Sequence, residues 1–111
     1  MSRSVFHTCH ISLGRNVGDV PMSDEDWLGY KLAVQASIGS VGGQIIQRPH
    51  KGEQLGLWEG CEEDACVFVA FVLGKHINQL KRCLVEDATK YKQLCIGFIE
   101  RRGTHHLLWT V

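Results

Sequence analysis

Residues 42–73 read GGQIIQRPHKGEQLGLWEGCEEDACVFVAFVL, and their order decides the fold. Gly42-Gly43 closes a helix. Gly43 to Gln47 forms a polar strand, and Pro49 confines that strand to a sheet edge or ends it, because proline donates nothing to a ladder. His50-Lys51-Gly52-Glu53 is a turn, and Leu55 to Glu59 resumes extended structure. The acidic run Glu62-Glu63-Asp64 is a solvated turn whose charge guards the strand behind it. From Cys66 to Leu73 the chain is apolar on both faces, and its valines and phenylalanines favour strand over helix.

Working outward from this stretch gives the other elements. Before it, Val5, His7, Cys9, Ile11 and Leu13 alternate with Phe6, Thr8, His10 and Ser12. Period two means strand, and the first set faces the core. Gly14 to Pro21 is a loop. Ser23 is an N-cap, and Asp24, Glu25 and Asp26 favour the positive end of a helix dipole. Trp27, Tyr30, Val34, Ile38 and Val41 recur at helical spacing. After the apolar strand, Ile77, Leu80, Leu84, Ala88 and Tyr91 mark a second helix. Leu94 to Glu100 and His105 to Val111 are strands joined by a turn at Arg102-Gly103-Thr104, a hairpin.

The order β-α-β-β-α-β with an additional C-terminal strand predicts a ferredoxin-like α+β fold, an antiparallel sheet with two helices on one face. Residues 1–111 form a single domain. Two strands that are apolar on both sides leave the second sheet face sticky. Burying an apolar side chain gains about 1.5–3 kcal/mol, so that face needs a cover. A homodimer packed through the sheet is the leading expectation, and folding of the segment between Gln47 and Glu63 over the sheet is the alternative.

Formal net charge is zero, which removes the basic surplus of a sequence-independent nucleic-acid binder. The fold order matches an RNA-recognition module, but the strand carrying Phe68 and Phe71 lacks the Lys, Arg and Gly of such a motif. The basic pairs Lys81-Arg82 and Arg101-Arg102 are short and read as solvated. No apolar run approaches the ~20 residues of a membrane span, and no signal core follows the N-terminus. The expectation is a cytoplasmic protein with no nucleic-acid or membrane partner. Cys9, Cys61, Cys66, Cys83 and Cys95 are odd in number and contain no Cys-x-x-Cys pair. Cys66 and Cys95 read as small buried apolar residues.

Six histidines are the main chemical resource. His10 lies on the face away from the helices, and with Glu100 on that same face it would form an acid–base pair. His7, Cys9 and His105 come from strands that the fold makes neighbours, and they are the candidate metal ligands. Their spacing is not diagnostic, so the expectation is no metal and no cofactor. Trp58, flanked by Gly56 and Gly60, is either a core cap or a pocket wall, and Phe68 and Phe98 are the other candidate ligand contacts. Trp27 and Trp109 read as core or interface residues.

Leu32 to Val72, about a third of the chain, resembles small α+β proteins of phages and other mobile elements. The shared pieces are Gly42-Gly43, the turn Gly56-Leu57-Trp58-Glu59-Gly60 and the acidic pair Glu63-Asp64. The resemblance implies the same fold order and a microbial, cytosolic setting, and it carries no catalytic residue. The functional expectation is a small binding or interaction protein, a homodimer that takes a small molecule or a protein partner. The alternative is a small enzyme using His10 and a carboxylate in an open-face pocket.

Overall fold

The computed structural model describes residues 6–51, 56–58, 61–63, 65–100 and 105–109, with side chains for 6–46 and 65–100. Nine strands and two α-helices follow one another within these residues. They are β1 (Phe6–Gly14), β2 (Asn16–Val17), β3 (Val20–Pro21), α1 (Asp24–Ser40), β4 (Gln44–Lys51), β5 (Gly56–Trp58), β6 (Cys61–Glu63), β7 (Ala65–Leu73), α2 (Ile77–Lys90), β8 (Cys95–Glu100) and β9 (His105–Trp109), with a 3-10 turn at Gly74–His76.

The main sheet runs β4-β7-β1-β8-β9, and every neighbouring pair is antiparallel. This is the expected ferredoxin-like order with one strand added beyond β8. β4 is an edge strand, as Pro49 requires, but it continues through the proline to Lys51 with two register irregularities against β7. The segments read as a loop and a turn contain short ladders instead. β2 pairs with β3, and β5 pairs with β6, which puts Glu62 and Glu63 in a strand.

Alternation sorts β1 as the sequence implies. Cys9, Ile11 and Leu13 are buried while their odd-one-out neighbours are half-buried. Phe68, Ala70 and Val72 of β7 and Ile96 and Phe98 of β8 join them under the helices. From α1 come Trp27, Tyr30, Val34 and Ile38, and from α2 come Ile77, Leu80, Leu84 and Ala88. Apolar burial of this one-sided layer is the main stabilising term.

The helix ends follow from local chemistry. Ser23 Oγ accepts from the Asp26 N–H at 3.1 Å, an N-cap at the positive end of the dipole. At the other end the Gly43 N–H donates to Ile38 O at 2.9 Å and the Gly42 N–H to Gly39 O at 3.0 Å, with Gly42 at φ 70°. That is a Schellman closure, and glycine adopts its left-handed residue without steric cost. α2 closes in the same way through Gln93 to Ala88 and Lys92 to Thr89, but there the left-handed residue is Lys92 at φ 58°. Mid-helix Gly29 has its own reason. A Cβ there would stand 2.5 Å from Tyr91 Oη, so the missing side chain lets Tyr91 stack on Tyr30 with centroids 5.2 Å apart.

Candidate functional site

Chemistry-bearing side chains divide between the two faces of the sheet. On the helix side, β1 and β8 place Cys9 opposite Glu100. Cys9 faces the core, so Glu100 does too. Its Oε2 lies 3.4 Å from His7 Nδ1. Its Oε1 lies 3.4 Å from Nζ of Lys81 on α2. Lys81 Nζ also sits 5.3 Å from the centroid of the Phe98 ring, a cation–π contact. The three side chains keep 21–25% of their surface. One carboxylate therefore bridges a histidine and a lysine at the rim of the core, and it holds the imidazole through Nδ1.

Cys9 is fully buried beneath this trio. Burial first, and then the charge of Glu100, push its thiol up to about 11, with Lys81 acting in the opposite direction. A protonated, enclosed thiol is a poor metal ligand, since ligation needs the thiolate. Among the described residues no three of His, Cys, Asp and Glu gather as a metal site. The side chain of His105, the third candidate ligand, lies outside the described residues; its backbone pairs with Ile99.

The open face carries His10. Its register partners are Val69 on β7 and Ile99 on β8. Thr8 pairs with Phe71, and Ser12 pairs with Val67 and Gly97. A Cβ on Gly97 would come within 3.0 Å of Ser12 Cβ, so β8 and β1 approach closely there. Phe71 keeps 39% of its surface, Ile99 36% and Phe6 53%. The face thus combines exposed apolar groups with two hydroxyls and one imidazole.

Two expectations about the site change. His10 and Glu100 lie on opposite faces, because His10 pairs with Ile99 and Glu100 with Cys9; the carboxylate serves His7. Phe68 and Phe98 are fully buried on the helix side, whereas on the open face Phe71 keeps 39% of its surface and Val69 only 7%. Lys81, read as one of a solvated basic pair, is instead half-buried in the ion-pair network. Cys66 is buried as expected, while Cys95 is only half-buried. The side chains of Trp58 and Trp109 lie outside the described residues, as do Asp64, Arg101 and Arg102 and the side chains of the segment from Gln47 to Glu63.

Among solved structures, the chain is similar in fold to a phage SAM lyase. The lyase in complex with S-methyl-5'-thioadenosine superposes with a TM-score of 0.60 at 19% identity, over 98% of this chain and 95% of that one. In its apo state the values are 0.54 and 18%, over 96% and 90%. At such identity the likeness is one of fold. No protein-family model matches the sequence, and no curated protein matches it.

Proposed function

We propose that this protein binds a small adenosyl–sulfur compound, the sulfonium S-adenosylmethionine or the thioether S-methyl-5'-thioadenosine, and acts as a cytoplasmic homodimer packed through its sheet. The observation that carries the ligand class is the likeness, along 98% of the chain, to a phage SAM lyase with S-methyl-5'-thioadenosine bound. Folds host many functions, so the chemistry of the open face has to fit as well. A purine is flat and apolar, and a ribose offers hydroxyls. Phe71 and Ile99 supply exposed apolar surface, and Thr8, His10 and Ser12 supply polar partners, the mixture typical of a ligand site. The dimer is supported by the exposed apolar groups of that face, and the cytoplasmic setting by free cysteines at positions 9, 66, 83 and 95. No helix among the described residues is long and apolar enough to cross a membrane.

A second reading, a small enzyme, is favoured by the His7–Glu100 contact of 3.4 Å. S-methyl-5'-thioadenosine is what remains when S-adenosylmethionine loses its aminocarboxypropyl chain from sulfur. In this reading a base takes a proton from the chain carbon next to the one bound to sulfur, a C=C bond forms as the C–S bond breaks, and the bonding pair leaves on sulfur as the neutral thioether; the base is His7, which has the carboxylate that His10 lacks.

Calorimetric titration with both ligands, together with native mass spectrometry, tests the proposal. Saturable binding by a dimer is the expected result. Absence of binding at millimolar ligand removes the ligand class, and a monomer at micromolar protein removes the dimer. Release of S-methyl-5'-thioadenosine from S-adenosylmethionine, lost in His7→Ala and kept in His10→Ala, establishes the enzyme.

A further inference from the structure

The two edges of the main sheet are built differently. β4 carries Arg48, Pro49 and Lys51 and two irregularities of register against β7, all features that blunt an edge against further pairing. β9 has none of them. Its sequence, His105-His106-Leu107-Leu108-Trp109, contains no proline, glycine, lysine, arginine or acid. It pairs with β8 at five consecutive positions without a shift. Among the described residues no strand lies on its other side. A regular strand whose outer row of backbone donors and acceptors meets no strand among the described residues is a template for another strand.

The sequence of β9 also names the partner. In an antiparallel pair centred on Leu107, that residue stands opposite itself, His106 opposite Leu108, and His105 opposite Trp109. Leucine meets leucine at the centre, imidazole meets leucine on either side of it, and imidazole meets indole at the ends. Cross-strand pairs of this kind favour association, and no fixed like charges oppose each other. A two-fold axis makes such an interface self-complementary.

We propose that β9 pairs antiparallel with β9 of a second copy about a two-fold axis through Leu107, so that the two sheets continue as one. This interface lies on the sheet edge and is separate from the face-packed dimer. Both together give a tetramer, and edge pairing alone gives a dimer whose open faces adjoin.

The test is native mass spectrometry at micromolar protein on the full chain and four variants. Leu107→Lys and Leu107→Glu each put like charges on the axis, and each is expected to halve the subunit count. An equimolar mixture of the two is expected to restore the count as a mixed species containing both. Mixing keeps the test valid if one substitution perturbs the monomer, since recovery requires folded partners. Leu107→Cys, in a chain with its native cysteines replaced by serine, is expected to form an intermolecular disulfide on oxidation. Phe71→Lys disrupts the open face and should leave β9 pairing intact. A wild-type monomer overturns the proposal. So does an unchanged subunit count in both Leu107 charge variants, or failure of their mixture to associate. If Phe71→Lys alone lowers the count, the face dimer stands and the edge proposal falls; if only the Leu107 charge variants lower it, the reverse holds.

Discussion

Replacing Glu100 by Gln keeps the shape of the side chain and removes its charge. The carboxylate lies 3.4 Å from His7 Nδ1 and 3.4 Å from Lys81 Nζ. Exposed ion pairs contribute about 0–1 kcal/mol, whereas breaking a fully buried pair costs about 3–5 kcal/mol. With 21–25% of their surface still in water, these groups stand nearer the exposed limit. The expected loss is therefore about 1–2 kcal/mol, a fall in Tm of roughly 5–10 °C for a domain of this size. Much of it arises from Lys81, whose charge stays over the Phe98 ring without a counterion. The same substitution reaches Cys9. Burial is the main cause that holds this thiol at about 11, Glu100 adds to it, and Lys81 opposes it. Glu100→Gln should lower the Cys9 titration while leaving it above the ordinary 9.0, and Lys81→Met should raise it. Urea unfolding gives the stability, and the carbon-13 shift of Cys9 Cβ followed against pH gives the titration. Displacement of Cys9 in the same direction by both variants would refute the geometry, as would a loss below about 0.5 kcal/mol in Glu100→Gln, within the range of ordinary surface changes.

Four further outcomes follow from local structure. The Cys9 thiol ionises near 9.0 when unfolded and near 11 when folded, so its contribution is complete below pH 9 and is lost as pH rises through 11. The loss approaches roughly 3 kcal/mol, and urea unfolding of Cys9→Ala across that range should show the slope flattened. Burial pushes the Asp87 carboxyl up, Ser37's hydrogen bond opposes it, Glu86 adds to the rise and Lys90 counters it. The native state thus holds the Asp87 proton more tightly than the unfolded chain, with its ordinary 3.8, and the ionised group costs stability at neutral pH. Asp87→Asn should be more stable at pH 7 in thermal melts and should lose that advantage as pH falls toward 3.8. Ser37→Ala removes a donor 2.5 Å from Asp87 Oδ2 and should lower stability at pH 7 by about 1.5–3 kcal/mol. Lys92→Gly relieves a left-handed residue at φ 58° and should stabilise by about 0.5–1 kcal/mol, seen as a higher Tm.

Long elements were legible because each carries a period. Ile77, Leu80, Leu84 and Ala88 recur as one helical face and are all buried. β7 is apolar throughout, and it lies inside the sheet between β4 and β1. The ladders of β2 with β3 and of β5 with β6 were not legible. Two or three paired residues leave no hydrophobic period, and such ladders are held by backbone bonds that the sequence does not display. The continuation of β4 past Pro49 has the same cause. An edge strand tolerates a residue without an N–H, and the irregularities beside it absorb the mismatch.

The site was half legible, and the missing half was register. His7, Cys9, Ile11 and Leu13 share a face by parity, and so do Ile96, Phe98 and Glu100 on β8, far away in sequence but beside β1 in the sheet. Joining the two sets requires the pairing of Cys9 with Glu100, a contact between distant parts of the chain, and a slip by one residue would have moved Glu100 to the face of His10. Lys81 was obscured for another reason. It flanks the apolar stripe of α2 and is long enough to lay its stem on Phe98 while its ammonium reaches Glu100, so its neighbour Arg82 made it look like half of a surface pair. The corrected geometry separates two tasks. The exposed rings and chains of Phe71 and Ile99 and the hydroxyls of Thr8 and Ser12 lie on the open face, while His7 lies beside Glu100 on the helix side. A ligand lying flat on the open face therefore meets His10 without a carboxylate and leaves His7 untouched, and acid–base chemistry by His7 requires a ligand that reaches around the end of the sheet. Binding and turnover, if both occur, should respond to substitutions on opposite faces: Phe71 and His10 for the first, His7 and Glu100 for the second.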